Sequence, residues 1–294
     1  MGYRSGFVCI VGRPNVGKST LLNRILETKV AITSSRPQTT RNAIRGILTT
    51  PTAQIVFVDT PGLHKPRSAL GRRLNDVVRT TLTDVDVALF VVDAAGGVGE
   101  GDDYIANELR DVKTPVLAVL NKIDVAAPAS IEAGSRRLEE LGGWPLYGMS
   151  ARTGAGVSDV VDALVTHLPE GPPLYPPDAL TDQPEHWTIA ELVREKVLEL
   201  TREEVPHSVA VVVDEMSTED DGTVQIAASI YVERDSQKGI VIGKGGRLLK
   251  EAGTRARRDI EALLGSHVFL DLRVKVERDW QSYDDRISRF GYGE

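Results

Sequence analysis

The sequence predicts an α/β chain of two domains, in which a larger domain with a mostly parallel sheet precedes a smaller α+β domain. Three observations carry this prediction. The 294 residues, 41% of them hydrophobic, are enough for two cores. Up to about residue 169, short apolar runs alternate with helical patterns, which is typical of a parallel sheet covered on both faces. Beyond a proline-rich segment, the predicted order becomes helix, strand, strand, helix, helix, strand.

The strands of the first domain are predicted at FVCIVG, QIVFVDT, VALFVVDA and VLAVLNK. Loops follow their carboxyl ends, where open α/β sheets bind ligands. The later segment GPPLYPPD has four prolines in eight residues, which neither a helix nor a central strand accommodates. The predicted boundaries are 4–170 for the first domain, 171–184 for the linker, 185–281 for the second domain and 282–294 for a C-terminal tail.

The second domain begins with helical periodicity in WTIAELVREKVLELTREE, which VPH ends. SVAVVVDEM and TVQIAASIYVE flank the turn signal EDDG and predict an antiparallel hairpin. The segment GIVIGKGG leads into a long helix, expected from about Arg247 to Leu264. The strand HVFLDLRVKVE and a short polar helix complete this domain.

Composition narrows the function classes. The single cysteine, Cys9, excludes an internal disulfide and a cysteine-rich zinc site, and its apolar neighbours predict a buried thiol. No apolar run reaches the roughly 20 residues of a membrane-spanning helix, and the N-terminus lacks a signal pattern, so we expect a cytoplasmic protein. The net charge of −7 argues against indiscriminate binding to nucleic acid, although charge is distributed unevenly along the chain.

GRPNVGKS lies directly after a strand and opens a helix, which predicts a phosphate-binding loop. Its backbone amides cradle phosphates, Lys18 reaches the β- and γ-phosphates, and the Ser19 hydroxyl ligates Mg²⁺. The alternative is a glycine-rich turn that happens to carry a lysine. The predicted nucleotide contacts here are Gly12, Arg13, Pro14, Asn15, Val16, Gly17, Lys18, Ser19 and Thr20.

DTPG closes the strand QIVFV, where a phosphate-binding domain needs a carboxylate for Mg²⁺ and an amide for the γ-phosphate. Asp59 supplies the first through water and Gly62 the second; an ordinary aspartate-proline turn is the alternative. In SSRPQTTRN, Thr40 is the preferred further metal ligand and Thr39 the second choice, against a merely solvated loop. The predicted contacts in DTPG and after it are Asp59, Thr60, Pro61, Gly62 and Leu63.

NKID follows VLAVL and selects guanine, because the Asp124 carboxylate can accept both the N1–H and the 2-amino group, for which adenine has no matching donors. Asn121 is expected to support the loop and the purine edge, and the Lys122 stem to cover the base. In SAR, a backbone amide can reach the guanine carbonyl; a helix N-cap by Ser150 is the alternative. The predicted contacts are Asn121, Lys122, Ile123, Asp124, Ser150, Ala151 and Arg152.

These motifs, in this order, resemble the translation-factor-like class of GTPases. The resemblance implies GTP and GDP as ligands, Mg²⁺ as cofactor, and catalytic contributions from Lys18, Thr40, Gly62 and Asn15. It also implies that Asn15 ligates K⁺; a loop asparagine that supports the turn is the equal alternative. Leu63 stands where many GTPases have a glutamine that orients water, so we expect slow intrinsic hydrolysis, helped by cations or a partner.

The second glycine loop, GKGG, lies between a short apolar helix and a long helix after a hairpin, which is the context of a type II KH module. Between positions 234 and 259 the local charge is +5, so we expect the loop to clamp about four RNA nucleotides. A helix connection with a solvated basic face is the alternative. The predicted RNA contacts are Ile240, Val241, Ile242, Gly243, Lys244, Gly245, Gly246, Arg247 and Lys250.

The glutamate-rich helix ending in EVPHS, joined to GKGG, resembles a family of bacterial GTPases that carry such a KH domain. The resemblance implies a cytoplasmic monomer that binds the 3′ end of small-subunit ribosomal RNA and assists maturation of the small ribosomal subunit. Peripheral association with the inner face of the membrane is a further family trait. Two alternatives stay open: an RNA chaperone or adaptor with GTP as structural ligand, and a metabolic or transport GTPase whose second domain binds protein.

Overall fold

The computed structural model describes residues 2–34, 39–64, 66, 68–201 and 205–292, without the side chains of residues 206 and 207. Two compact units result, one formed by residues 2–33 and 39–182 and the other by residues 183–292. Within the described residues, no helix is both long and apolar enough to cross a membrane.

The first unit is a six-stranded sheet in the order β2-β3-β1-β4-β5-β6, and every neighbouring pair except β2–β3 is parallel. Its strands are β1 (Arg4–Val11), β2 (Ile44–Thr49), β3 (Ala53–Asp59), β4 (Val87–Asp93), β5 (Val116–Asn121) and β6 (Leu146–Gly148). The central strands are buried along nearly their whole length, which is why they appear in the sequence as continuous apolar runs.

Among the residues that the structure describes, five helices cover this sheet: α1 (Lys18–Leu26), α2 (Ala69–Thr83), α3 (Glu100–Arg110), α4 (Pro128–Leu141) and α5 (Val157–His167). Strands and helices alternate as the sequence predicts, and Cys9 is buried in the core as expected. The mostly parallel α/β fold is therefore confirmed.

Strand β2 is the element that the sequence analysis did not predict. It pairs antiparallel with β3, from Ile44 opposite Asp59 to Thr49 opposite Gln54. Arg45 and Gly46 interrupt its apolar run, so no continuous strand signal exists. Gly46 is required there because a Cβ atom would lie 2.6 Å from both Leu22 and Leu26 of α1.

The proline-rich segment is hydrogen-bonded along the first unit. Its carbonyl at Pro172 accepts from the Ser5 hydroxyl at 2.7 Å, and the carbonyl at Leu180 accepts from the amide of Ile47 at 2.9 Å. Thr181 forms an isolated bridge with Gly46, beside β2. Prolines lack the amide that a strand would need, so side chains of the sheet supply much of the anchoring.

Gln54 is the main anchor of this segment. Its side chain is fully buried; the oxygen accepts from the amides of Leu174 at 2.6 Å and Tyr175 at 2.9 Å. Its nitrogen donates to the Tyr175 carbonyl at 2.9 Å and to the Thr49 hydroxyl at 3.0 Å. All four hydrogen bonds of one amide are therefore satisfied between β3, the end of β2 and the linker.

The second unit has the order α6 (Glu185–Leu200), α7 (Val205–Ser208), β7 (Ala210–Thr218), β8 (Val224–Val232), α8 (Asp235–Ile242), α9 (Arg247–Leu264), β9 (Val268–Val276) and α10 (Asp284–Arg289). β7 and β8 form the predicted antiparallel hairpin, and β9 joins β8 in parallel. A single turn of 3-10 helix, Lys244–Gly246, separates α8 from α9. The smaller α+β unit with its helix–glycine-loop–helix is confirmed.

Residues 280–292 pack into the core of the second unit, although the sequence predicts only a tail from residue 282 onward. Trp280 is fully buried, donates from its indole nitrogen to the Ser208 carbonyl at 2.9 Å, and meets Phe290 edge-on at 5.2 Å between ring centroids. Phe290 also contacts Tyr231 of β8 at 4.7 Å, and Tyr292 is buried beside Trp280. These four buried aromatic rings pack together and exclude water from this end of the sheet.

We expect Gln54→Ala to release the linker near residues 174 and 175. The change leaves two partly buried amides without an acceptor, and the loss of such a partner costs about 1–3 kcal/mol, so these amides should exchange about tenfold faster. Hydrogen–deuterium exchange of the full-length chain measures this. Thr52→Ala, in the same hairpin but with an exposed side chain, is the control. Equal exchange in Gln54→Ala and wild type would show that backbone contacts alone hold the segment.

Candidate functional site

The phosphate loop joins β1 to α1 at the carboxyl end of the sheet. Gly17 has φ 103°, and a Cβ atom there would lie 2.3 Å from the Asn121 side chain, so glycine is the only residue that fits. Lys18 is buried, and its ammonium donates to the carbonyls of Gly12 at 3.1 Å and Arg13 at 3.0 Å. The loop thus curls around its own lysine, as a phosphate cradle requires.

Three oxygens meet beside this loop. The Ser19 hydroxyl donates to Asp59 Oδ2 at 2.6 Å and lies 3.0 Å from the Thr40 hydroxyl, which is itself 3.3 Å from the same carboxylate oxygen. Asp59 Oδ1 is buried and accepts no hydrogen bond from any residue that the structure describes. Hydroxyl and carboxylate oxygens are the ligands that Mg²⁺ prefers. The group therefore fits Mg²⁺, and Thr40 is the threonine that the fold brings to it.

Burial acts on both charges of this group. Loss of water lowers the pKa of Lys18 to about 8, although the carboxylate of Asp59 acts in the opposite direction. Loss of water also raises the pKa of Asp59, against the effects of Lys18, Ser19 and Thr40. A phosphate near Lys18 and a cation near Asp59 would each stabilise the charged form, so the site favours these two ions together.

The turn after β3 lies against the phosphate loop. A Cβ atom on Gly62 would lie 2.6–2.8 Å from the backbone of Pro14, so the two loops touch at a glycine. The Thr60 hydroxyl donates to the carbonyl of Ile10 at 2.8 Å and braces the turn on β1. Leu63 is in the hydrophobic core, 1% exposed, rather than directed to the phosphate side.

Asn121 connects the base-binding loops with the phosphate loop. Its nitrogen donates to the Val16 carbonyl at 2.8 Å, and its oxygen accepts from the amides of Lys122 at 2.8 Å and Ala151 at 2.9 Å. The amide of Ala151 therefore supports Asn121, in addition to the guanine contact expected of this segment.

The Asp124 carboxylate is held by two residues of the neighbouring segment SAR. The Ser150 hydroxyl, and after it Arg152, lower the pKa of Asp124 below its usual value. Arg152 donates to Asp124 Oδ2 at 2.5 Å. Ser150 also accepts from the amide of Thr153 at 3.1 Å and so caps a turn; the next helix, α5, begins after Gly156, so Ser150 is not a helix N-cap. An ionised Asp124 is the form that accepts two guanine donors.

The other predicted nucleotide and metal contacts lie in or next to these loops. Pro61, Ile123 and Thr20 lie in or beside the three loops, with Thr20 at the start of α1. Thr39 immediately precedes Thr40 in the loop before β2.

Two carboxylates that the sequence analysis did not select take part in this site. Asp93, at the end of β4, binds the Lys122 ammonium at 2.6 Å; the ammonium also donates to the Asn15 carbonyl at 2.8 Å. Asp102, fully buried in α3, lies 2.8 Å from Arg13 Nε. The one available signal for Asp93 was its position, since VVDA ends a strand at the same edge as DTPG and NKID.

The glycine loop of the second unit is an exposed helix N-terminus. Gly243, Gly245 and Gly246 all have positive φ, at 72°, 62° and 76°, and Cβ atoms on the last two would meet nothing within 4 Å. Lys244, Gly245, Arg247 and Lys250 are exposed, and Ile240 is 49% exposed. Val241 is fully buried and supports the loop from inside, while Ile242 is half-buried.

A groove of about 360 Å³ extends from this loop between α9 and β9. It is lined by Gly246, Leu249, Lys250, Gly253, Thr254, Arg257, Phe269, Leu270 and Leu272. Gly253 forms its floor, where a Cβ atom would lie 3.2 Å from Leu272, and Phe269 is 59% exposed at its side. The sequence analysis missed the β9 side of this groove. The available signal was Phe269, an aromatic residue at one of the alternating positions of the strand that are otherwise polar.

Two family models match the chain, one described as a 50S ribosome-binding GTPase at residues 7–122 and one as a KH domain at residues 204–281. GTPase Era from Carboxydothermus hydrogenoformans is 53% identical over 296 residues, covering 100% of this chain and 99% of the relative.

Two solved structures are similar along the whole chain. Era in complex with MgGDPNP and nucleotides 1506–1542 of 16S ribosomal RNA has a TM-score of 0.95 and 41% identity, covering 99% of each chain. A single-residue variant of Aquifex aeolicus Era bound to GDP and AlF₄⁻ has a TM-score of 0.94 and 40% identity, covering 98% of this chain and 99% of that one.

We expect Asp124→Asn to shift nucleotide preference from GTP toward xanthosine triphosphate, because the amide replaces one accepting oxygen by a donor. Competition titrations of both nucleotides against wild type and variant measure the shift. Glu139→Gln, an exposed acidic residue of α4, is the matched control for loss of one charge. Full retention of GTP preference in Asp124→Asn would exclude Asp124 as the guanine-selecting group.

Proposed function

The chain belongs to the Era family of GTPases, and on that premise we propose that it couples GTP binding and slow hydrolysis to binding of the 3′ end of small-subunit ribosomal RNA. The chain is a GTPase that binds guanine nucleotide with Mg²⁺. In this proposal the first unit carries the nucleotide chemistry, and the second unit carries the contact with RNA.

In the first unit, Lys18 and the amides of the phosphate loop hold the β- and γ-phosphates, and Gly62 offers its amide to the γ-phosphate. Ser19, Thr40 and Asp59 hold Mg²⁺, which when bound neutralises charge on the transferred phosphoryl group. The convergence of these three oxygens within 3.3 Å, with one Asp59 oxygen left without a partner among the described residues, supports this assignment.

Slow intrinsic hydrolysis follows from the position after Gly62. Leu63 has no hydrogen-bonding side chain and is packed in the core, so it does not orient the attacking water. We propose that a K⁺ ion ligated by Asn15 contributes charge stabilisation instead. Support comes from the position of Asn15 within the phosphate loop, where it is exposed and has a left-handed backbone, φ 66°.

In the second unit, the GKGG loop clamps the RNA backbone, and the groove between α9 and β9 receives bases. The observation that carries this proposal is the pair Gly245 and Gly246, exposed and half-buried respectively, where a Cβ atom would meet nothing within 4 Å, beside the exposed Lys244, Arg247 and Lys250. Glycines permit close approach of a phosphate, and the start of α9 adds its dipole. A relative 41% identical over 99% of the chain was crystallised with a 16S segment, which supports the small-subunit target.

The matching GTPase family is described as binding the 50S ribosome, although its model covers only residues 7–122. The proposed small-subunit RNA contact resides in the second unit, so a large-subunit RNA segment is the appropriate competitor in any test. We also propose, on the resemblance alone, that the protein acts as a cytoplasmic monomer in small-subunit maturation and associates peripherally with the membrane.

We expect Lys244→Asp combined with Gly245→Asp to abolish most RNA affinity while GTP binding persists. Negative charge then lies where phosphate binds, and side chains block the backbone approach. Wild-type affinity for a 16S 3′ segment should fall with salt at a slope of about −0.7 per neutralised phosphate, and the variant slope should be shallower.

The control carries the same charge change in the first unit, at two exposed positions: Lys113→Asp with Ala129→Asp. RNA titrations in a salt series, with all proteins in one nucleotide state, provide the comparison. Unchanged affinity and slope in the loop variant would exclude GKGG as the RNA site, and equal affinity for a large-subunit segment would exclude the small-subunit target.

A further inference from the structure

Asp93 lies where the strand β4 ends, between the phosphate loop and the base-binding loops. Its Oδ2 atom is 2.6 Å from the Lys122 ammonium, which donates at the same time to the Asn15 carbonyl at 2.8 Å. We propose that Asp93 is a positioning residue for nucleotide binding, which acts by holding Lys122 across the gap to the phosphate loop. The inference rests on the proposed nucleotide site and assigns a determinant of how long nucleotide stays bound.

Asp93 is itself rigidly placed. Its other oxygen, Oδ1, accepts from the amides of Ala95 at 2.9 Å and Gly96 at 3.1 Å. Its backbone pairs in register with Asn121, and the amide of Ala94 donates to the Asn121 carbonyl at 2.9 Å. Although burial raises the pKa of Asp93, the bonds from Lys122 and the amides outweigh it and keep the carboxyl ionised. One oxygen therefore fixes the turn while the other holds Lys122.

Two members of this chain of contacts, Lys122 and Asn15, have unusual backbones. Lys122 has φ 67° and Asn15 has φ 66°, a left-handed conformation that is unfavourable for a residue other than glycine. Such strain persists only where surrounding contacts maintain it. The hydrogen bonds that link Asp93, Lys122 and Asn15 are one such contact. Without them, both loops can relax away from the conformation that binds nucleotide.

A second brace limits the size of the effect. Asn121 also ties the base loop to the phosphate loop, through the Val16 carbonyl at 2.8 Å. The Lys122 side chain is 34% exposed, so water screens its pairing with Asp93. Removing the Asp93 contact should therefore accelerate GDP dissociation by about tenfold, at the low end for a charged hydrogen bond.

Asp93→Asn separates the two functions of the carboxylate. The single oxygen of asparagine still accepts from Ala95 and Gly96, which only an oxygen can do, and the amide nitrogen then faces the Lys122 ammonium. Lys122→Met removes the ammonium but keeps an apolar stem over the base. The two changes and their combination form a double-mutant cycle on the full-length protein.

Release of a fluorescent GDP, followed by stopped flow, is the main measurement. We expect about tenfold faster release in Asp93→Asn, a raised KM for GTP, and kcat within about twofold of wild type. In the Lys122→Met background, Asp93→Asn should add nothing. Asp103→Asn, which breaks the 2.9 Å ion pair of α3 with Arg137, is the matched control and should leave release unchanged.

An effect of Asp93→Asn as large in the Lys122→Met background as in wild type would assign Asp93 to the turn alone and overturn the inference. Unchanged release in Asp93→Asn would overturn it too. A wild-type protein that failed to bind fluorescent GDP would instead overturn the proposed nucleotide site, so the two failures are distinct.

Discussion

The buried side chain of Asn121 is the constraint on which the first unit's site depends. It binds the carbonyl of Val16 and the amides of Lys122 and Ala151, so one amide group meets the phosphate loop and both base-binding loops. Being 1% exposed, it has no competing water, and its hydrogen bonds are strong. The distance between phosphate and base subsites is therefore set before nucleotide binds, which lowers the ordering cost of binding.

The remaining polar groups of this site are concentrated at one edge of an apolar sheet. β3, β4 and β5 each run through the core and end in Asp59, Asp93 and Asn121. Parallel strands bring their carboxyl ends together, so one edge gathers a metal-ligating carboxylate, a lysine-holding carboxylate and the central amide. Buried Lys18 and Asp59 are costly in the absence of ligands, and this cost favours the binding of phosphate with a cation.

The proposed role of the second unit is to present backbone to a polyanion, although the chain as a whole has a net charge of −7. It does so locally, with basic side chains and glycines gathered where α8 ends and α9 begins. The loop is supported from beneath by Val241 and by the hydrogen bond from Gln237 to Ser208 at 3.1 Å. The acidic remainder of the protein opposes nonspecific binding, and the proposed contact with RNA falls on this basic loop.

The sequence by itself determined the features that depend on neighbours along the chain. The two glycine loops, the apolar strands of the first unit, the hairpin and α9 from Arg247 to Leu264 were all predicted, because each needs a local pattern of glycine, periodicity or turn residues. The residues proposed to bind phosphate, Mg²⁺ and guanine were also selected from such patterns.

Only the tertiary structure decided which residues from distant segments meet. Gln54 holds a linker 121 positions away, and Arg13 pairs with Asp102; neither pair has a local signature. The same holds for the burial of Leu63 and Val241, which are apolar residues in loops and short helices that the sequence leaves free to face either side. Strand β2 forms because β3 offers it an edge, and Lys122 reaches Asn15 because the sheet aligns their loops. Contacts of this kind form only when distant segments of the chain pack around a common core, so a local sequence pattern cannot predict them.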